Sequence, residues 1–132
     1  MILFVASNPS HLNYDPLIPF AGSRSEKNFK EWAEFLAPEG YKVINAADQV
    51  TYNNRRIAKS EINIVDFKTK ILNNKPTKII ALGTTASMAL EMAGEVFFKL
   101  PHPSPLNRFL NNKVYLDAVL QECKEWLSIT IH

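Results

Sequence analysis

The sequence predicts an α/β protein, a three-layer α/β/α sandwich around a four-stranded parallel sheet. Short apolar runs alternate with longer amphipathic segments along the 132 residues, which is the pattern of a sheet covered by helices. The apolar runs are continuous and rich in β-branched or aromatic residues, as is typical of parallel strands buried on both faces. Because no linker, repeat or low-complexity tract interrupts this order, we expect a single domain over residues 1–132.

The four predicted strands are short and end at polar or rigid segments. They span Ile2–Ala6, Tyr41–Asn45, Lys78–Leu82 and Glu95–Leu100. With a helix after each strand, the chain has the order βαβαβαβα. The functional loops of such a sheet gather at the carboxyl ends of its strands, so functional residues are expected in the segments that follow the strands.

The four predicted helices follow from apolar residues at helical spacing. The first begins at a serine cap, Ser25, and ends at Pro38 to Gly40; the third begins at a threonine cap and ends at Gly94. The second and fourth lie within residues 59–74 and 114–127. The spacing predicts that Ile62, Val65, Ile71 and Leu72 face the core from the second helix.

The composition is that of an ordinary globular protein, with 46% hydrophobic and 21% charged residues. A single cysteine, Cys123, excludes an internal disulfide framework and fits a reducing compartment. The apolar start of the chain is too short for a signal peptide, and no run is long enough to span a membrane. We therefore expect a soluble monomer in the cytoplasm, or in the nucleus of a eukaryotic cell. The net charge of +2 permits an acidic partner without requiring one.

The segments after the predicted strands carry polar groups in rigid settings. They read SNPSHLN from Ser7, NAADQV from Asn45, GTTAS from Gly83 and PHPSPLNR from Pro101. Proline restricts φ and lowers loop entropy, so the polar groups beside it are held in place. This is how a binding or catalytic site is preorganised.

Taken singly, each of these residues has a simpler structural interpretation. His102 could be a hydrogen-bonded structural histidine, Asn8 before a proline could start a turn, and Asn45 could cap the next segment. Leu106 could pack on the last helix. A metal site is not expected, because His102 has no cysteine or carboxylate cluster near it in sequence. The chain also lacks a Gly-x-Ser-x-Gly nucleophile motif, and GTTAS lacks the lysine of a phosphate-binding loop.

Taken together, ASNPSH and the later LPHPSPLNR resemble the two signature motifs of the uracil-DNA glycosylase superfamily. Asn45 stands where that family has its base-reading asparagine, and IIALGTTAS resembles its third strand and following helix. The first motif carries an asparagine, Asn8, like the mismatch-specific and single-strand-selective branches. The resemblance implies a cofactor-independent enzyme that hydrolyses the N-glycosidic bond of uracil or a related pyrimidine in DNA and leaves an abasic site.

The resemblance also assigns roles within the base pocket. His102 would donate a hydrogen bond to the base oxygen on which negative charge develops, and Asn45 would pair with the edge of the base. Asn8 would hold the attacking water, but an amide cannot deprotonate it, so slow chemistry is expected. Ser10 replaces a tyrosine that blocks the thymine methyl group in strict uracil enzymes, and Phe20 is the candidate stacking ring.

The remaining assignments concern DNA. Leu106 is placed to fill the gap left in the duplex by the flipped base. Five further residues are candidates for contacts with the flanking phosphates: Ser23, Arg24, Ser104, Asn107 and Arg108.

Three other functions remain open at this stage. The chain could be a catalytically weak or inactive DNA-binding member of the same fold, as Asn8 and the short length suggest. It could act on a modified base in another pathway, such as base hypermodification. A generic nucleotide-binding α/β domain is the fallback.

Overall fold

All eight predicted helices and strands are present in the computed structural model, which describes residues 1–8, 25–48, 57–104 and 108–129. The strands are β1 (Ile2–Ala6), β2 (Tyr41–Asn45), β3 (Lys78–Leu82) and β4 (Phe98–Leu100). The helices are α1 (Glu26–Leu36), α2 (Ile64–Asn74), α3 (Thr84–Ala93) and α4 (Lys113–Leu127). Short 3₁₀ turns cover Lys59–Glu61 and Arg108–Asn111.

The four strands form one parallel sheet in the order β2-β1-β3-β4. Ala6 pairs with Asn45, and Leu82 pairs with Leu100, so the strands end nearly level with one another. All five residues of β3 are buried, and so are the last four of β1. The predicted four-stranded parallel sheet is confirmed, and the strand ends that carry the sequence motifs meet at one edge of it.

Hydrophobic residues fill two separate layers, one on each face of the sheet. Helices α1 and α4 pack on the face that carries Phe4, and helices α2 and α3 pack on the face that carries Leu3 and Val5. Alternate residues of one strand therefore enter different cores, as the two-residue repeat of a strand requires. This arrangement is the predicted three-layer sandwich. Within the described ranges, no helix is both long enough and apolar enough to cross a membrane.

The aromatic residues at the start of α1 attach this helix firmly to the sheet. The ring of Phe4 meets the edges of Phe29 and Tyr41, with ring centroids 5.3 and 5.5 Å apart. Phe29 and Trp32 are each only 4% exposed. Edge-to-face aromatic pairs add to the free energy of apolar burial, so α1 is a rigid support for the side chains that it carries.

The inward face of α2 agrees only in part with the predicted one. Ile62 and Ile71 are buried as predicted, whereas Val65 and Leu72 are 69% and 72% exposed and Phe67 is buried instead. Phe67 and Ile71 lie four residues apart and so share one side of the helix, whereas Val65 lies two residues before Phe67 on another side. Both sets have helical spacing, and the sheet selects the one that contains the large aromatic ring.

The predicted starts of two helices and one strand need correction. Ser25 stands at the N-cap of α1, but its side chain makes no capping hydrogen bond. The N-cap of α3 is Gly83, and Thr84 is already its first helical residue. Strand β4 begins at Phe98 and not at Glu95, because Gly94 adopts φ +73° and the Glu95 amide bonds back to the carbonyl of Leu90 at 3.0 Å. The end of α3 thus takes up Glu95, the first residue of the predicted strand.

Asn63 caps α2, and its replacement should weaken the fold measurably. The Asn63 side-chain oxygen accepts a hydrogen bond from the Asp66 amide at 3.1 Å. Asn63→Ala is expected to lower the free energy of unfolding by about 1 kcal/mol, because that helical amide loses its partner. Urea denaturation measures the change, and Asn63→Asp, which retains the acceptor, should remain within a few tenths of the wild type. Equal stability of wild type and Asn63→Ala would contradict the prediction.

Candidate functional site

Three polar side chains singled out in the sequence lie at the carboxyl edge of the sheet. Asn45 is the last residue of β2, Asn8 lies two residues beyond β1, and His102 lies two residues beyond β4. Strands β1 and β3 separate β2 from β4, so at about 4.8 Å per strand the backbones of β2 and β4 are about 14 Å apart. A flat ring therefore fits between side chains that extend toward each other from the ends of β2 and β4.

The asparagine side of this edge is built by backbone pairing that continues past the strands. The Ala46 amide donates to the carbonyl of Ala6 at 2.8 Å, and the Ala47 amide donates to the carbonyl of Ser7 at 2.9 Å. These bonds hold the segments after β1 and β2 side by side, which keeps Asn8 close to the end of β2. Asn45 itself is only 8% exposed.

A lysine from α2 holds the segment that follows Asn45. The Lys70 ammonium donates to a carboxylate oxygen of Asp48 at 2.7 Å and lies 3.4 Å from the carbonyl oxygen of Asn45. Lys70 thus ties the strand end to the helix behind it. This pair could not be predicted from the sequence, since 22 residues separate the two partners and neither stands in a motif.

His102 is held in a defined tautomer by the turn around it. Its Nδ1 accepts a hydrogen bond from the Ser104 amide at 3.1 Å. A nitrogen that accepts from an amide carries no proton, so the neutral ring has its proton on Nε2. Burial lowers the pKa of His102 from its ordinary value, because desolvation disfavours the charged imidazolium. The ring is therefore a neutral hydrogen-bond donor through Nε2 at neutral pH.

Two residues that the sequence analysis missed surround the His102 turn. Gly83, at the end of β3, lies against the ring: a Cβ added at Gly83 would be 3.1 Å from the Cβ of His102. Asn28 of α1 donates from its side-chain amide to the carbonyl of Pro103 at 2.9 Å, and Pro103 is fully buried. Gly83 follows an apolar strand, which was a usable signal. Asn28 lies 75 residues from its partner and gave none.

Several predicted site residues lie outside the described part of the chain. These are Ser10, Phe20, Ser23, Arg24, Leu106 and Asn107, and for Arg108 only the backbone is described. Ser104, predicted to contact DNA, is described, and its backbone amide bonds to His102. The roles assigned to these residues in DNA contact and base recognition stay predictions.

The groups at this edge suit an organic ligand. Within the described ranges, no three histidine, cysteine, aspartate or glutamate side chains lie close enough to share a metal ion. The same edge carries Asn8, Asn45 and His102, whose amide and imidazole groups include both hydrogen-bond donors and acceptors. That the protein needs no cofactor stays a prediction.

The family of the chain follows from a comparison with known protein families. The family model of the uracil DNA glycosylase superfamily matches residues 1–124, which includes all four strands and the segment after each. The chain belongs to this superfamily. Members of the uracil DNA glycosylase superfamily are in general DNA glycosylases, hydrolases that act on DNA in base excision repair. A search of curated proteins found no significant match. The predicted superfamily is thus confirmed, and the asparagine-type branch stays a prediction.

Proposed function

We propose that the protein is a monofunctional DNA glycosylase that hydrolyses the N-glycosidic bond of uracil, or of a related pyrimidine, flipped out of DNA. It leaves an abasic site, needs no cofactor and works as a soluble monomer inside the cell. The observation that carries this proposal is the neutral His102 ring, held through Nδ1 at the same sheet edge as Asn8 and Asn45.

His102 stabilises the departing base. Cleavage of the bond between the sugar and the base leaves an oxocarbenium-like sugar and a base anion, whose charge is delocalised onto the carbonyl oxygens of the base. The Nε2–H group of His102 donates to such an oxygen while the charge develops. A preorganised donor of this kind contributes most in the transition state, because it needs no reorganisation when the bond breaks.

Asn45 reads the edge of the base. Its amide supplies one acceptor and two donors, which match the N–H and C=O groups along the edge of uracil. Asn45 is 8% exposed, and an unpaired polar group in such a setting costs free energy. Bases that leave the amide of Asn45 unpaired are therefore discriminated against.

Asn8 holds the water that attacks the sugar. The carbonyl oxygen of an amide can accept a hydrogen bond from water, but it cannot take the proton at neutral pH. The reaction thus depends mainly on departure of the base. Water then adds to the sugar cation that forms and loses its proton to bulk solvent. We expect slower turnover than in members with an aspartate at this position.

The substrate range is proposed to extend beyond uracil. Ser10 leaves open the space that a tyrosine would fill, so pyrimidines substituted at carbon 5, such as hydroxymethyluracil, are candidate substrates. Phe20 stacks on the base and Leu106 fills the vacated position in the duplex. The phosphate contacts come from five residues: Ser23, Arg24, Ser104, Asn107 and Arg108.

A substrate panel tests the proposal. Single- and double-stranded oligonucleotides that carry uracil, thymine, hydroxymethyluracil or hypoxanthine are incubated with excess protein, and the released base is quantified by mass spectrometry. Release of free uracil or of a 5-substituted pyrimidine, with an alkali-labile abasic site in the product strand, is expected. A full panel without release, from folded protein, would refute the enzymatic proposal.

One observation favours a second candidate, a DNA-binding member with little or no turnover. Asn8 provides no general base, and general base catalysis typically contributes a factor of about 10² to 10⁴. Tight binding to uracil-containing or abasic DNA without base release would support this alternative. If a modified base is converted instead of released, mass spectrometry of the intact strand reveals its changed mass.

The pH dependence of base release should report His102. The pKa of His102 lies below its ordinary value of 6.5, so the ring is still neutral just below that pH. The acid-side decline of the single-turnover rate should therefore also lie below pH 6.5. The unfolded chain takes up the proton first, so the stability due to neutral His102 is complete above 6.5 and is lost as the pH falls through the lowered pKa. Rate profiles and urea denaturation of wild type and His102→Asn measure both effects. An acid limb at or above pH 6.5 would contradict the prediction.

A further inference from the structure

We infer that Asn28 and Gly83 are positioning residues that hold the His102 ring from two sides. Asn28 acts through the peptide group between Pro103 and Ser104, and Gly83 acts by leaving space for the ring. The inference rests on the proposed function in one respect, namely that the ring meets the base. The hydrogen bonds and contacts that carry it are independent of any substrate.

Asn28 and His102 bond to opposite ends of one peptide group. The Asn28 amide donates to the carbonyl oxygen of Pro103 at 2.9 Å. The N–H of the same planar group, that of Ser104, donates to Nδ1 of His102 at 3.1 Å. Asn28 therefore orients the donor that determines the His102 tautomer. It also polarises that donor, because hydrogen bonds in a chain strengthen one another.

The support behind Asn28 is rigid. The next residue, Phe29, is 4% exposed and packs edge-on against Phe4 at the centre of the sheet, with ring centroids 5.3 Å apart. Asn28 itself is partly buried. Because α1 is packed firmly on the sheet, the Asn28 side chain holds the loop after β4 in a fixed position relative to the sheet.

Gly83, which directly follows β3, restricts the position of the His102 side chain. A Cβ at Gly83 would lie 3.1 Å from the Cβ of His102, closer than most side-chain contacts, and 3.4 Å from its Cδ2, at van der Waals contact. The Gly83 amide donates to the carbonyl of Leu100 at 2.8 Å, which fixes the glycine relative to the end of β4. Its φ of +93° also favours glycine. The His102 side chain thus lies directly against the backbone of Gly83, and a Cβ added there requires it to shift by a few tenths of an ångström.

The test separates the position of the ring from activity. In ¹⁵N-labelled protein, the His102 nitrogens should show a bare Nδ1 and a protonated Nε2. In Asn28→Ala or Asn28→Asp, the Ser104 amide resonance should shift and the other tautomer should appear. Alanine is a better helix former than asparagine, so α1 is retained. Asn28→Gln, which keeps a donor on a longer arm, should restore part of the wild-type signature.

Activity supplies the second measurement. The single-turnover rate of base release should fall about tenfold or more in Asn28→Ala and Gly83→Ala, because a catalytic group is displaced. The dissociation constant for the same DNA should change less than twofold. A structural role alone would alter stability and leave the histidine spectrum of the folded protein unchanged.

Matched controls are available in the chain. Asn74 also donates its side-chain amide to a backbone carbonyl, that of Lys70 at 2.7 Å, so Asn74→Ala removes an equivalent bond away from the site. Gly40 has φ +135° with nothing within 4 Å of an added Cβ, so Gly40→Ala imposes backbone strain without touching His102. Neither control should alter the His102 resonances or the ratio of the single-turnover rate to the dissociation constant for DNA.

The outcomes distinguish the positioning role of Asn28 and Gly83 from the proposed glycosylase activity. An unchanged His102 tautomer and Ser104 resonance in Asn28→Ala would overturn the positioning role, whether or not the protein releases base. Altered resonances with the stated loss of rate would support it. If the wild type releases no base while the resonances change as expected, the positioning role stands and the glycosylase proposal fails. If Gly83→Ala does not fold, the Asn28 variants decide.

Discussion

His102→Ala is expected to slow base release by a factor of about 10² to 10³ under single-turnover conditions. That is the usual cost of removing one preorganised donor from a developing negative charge. In the neutral ring, Nδ1 accepts a hydrogen bond from the Ser104 amide at 3.1 Å, so the only N–H proton is on Nε2. The rate of uracil release from single-stranded and duplex oligonucleotides measures the loss, and DNA affinity should change little, because the interaction forms mainly in the transition state.

A second substitution separates the donor from the architecture of the turn. The side-chain oxygen of His102→Asn can accept from the Ser104 amide as Nδ1 does, but no group of this variant reaches the position of Nε2. If the Nε2–H group matters, His102→Asn is as slow as His102→Ala while its turn remains intact. His132→Ala, a histidine outside the motifs, serves as the control. Wild-type rates in both His102 variants would remove this residue from the mechanism.

The fold was predictable because parallel strands leave a strong pattern in a sequence. Strand β3, KIIAL, is buried at every position, so its apolar run is continuous, and the regular alternation with helices gives the architecture. The errors occur where two patterns compete. Val65 and Leu72 have helical spacing as good as that of Phe67 and Ile71, and only the packed sheet selects the inward face.

The site was predictable only where it lies in motifs. Asn8 and His102 each follow a predicted strand and Asn45 ends one, and parallel strands bring their carboxyl ends to one edge. Asn28 could not be found in this way, because a helix residue that bonds to a loop 75 positions later leaves no local pattern. Such supports are a property of the tertiary structure, and they decide whether a motif residue is held accurately.

Asn8→Asp is expected to raise the rate of base release by about tenfold or more at neutral pH. A carboxylate at this position can both orient the water and take its proton, and general base catalysis contributes typically about 10²- to 10⁴-fold. Only part of this factor is expected, because water attacks a sugar cation more readily than a neutral carbon and so depends less on general base catalysis. The gain should disappear as the pH falls below about 4, where an aspartate becomes protonated.

Asn8→Ala completes the comparison, because it removes the acceptor for water and adds no base. The expected order of single-turnover rates is Asn8→Asp, then wild type, then Asn8→Ala, with similar DNA affinities throughout. The pairing that holds this segment, from the Ala47 amide to the carbonyl of Ser7 at 2.9 Å, involves only backbone and should survive all three side chains. Equal rates for Asn8→Asp and Asn8→Ala would mean that the water is not bound at Asn8. The slow chemistry expected of this protein would then need another cause, such as weak stabilisation of the departing base at His102.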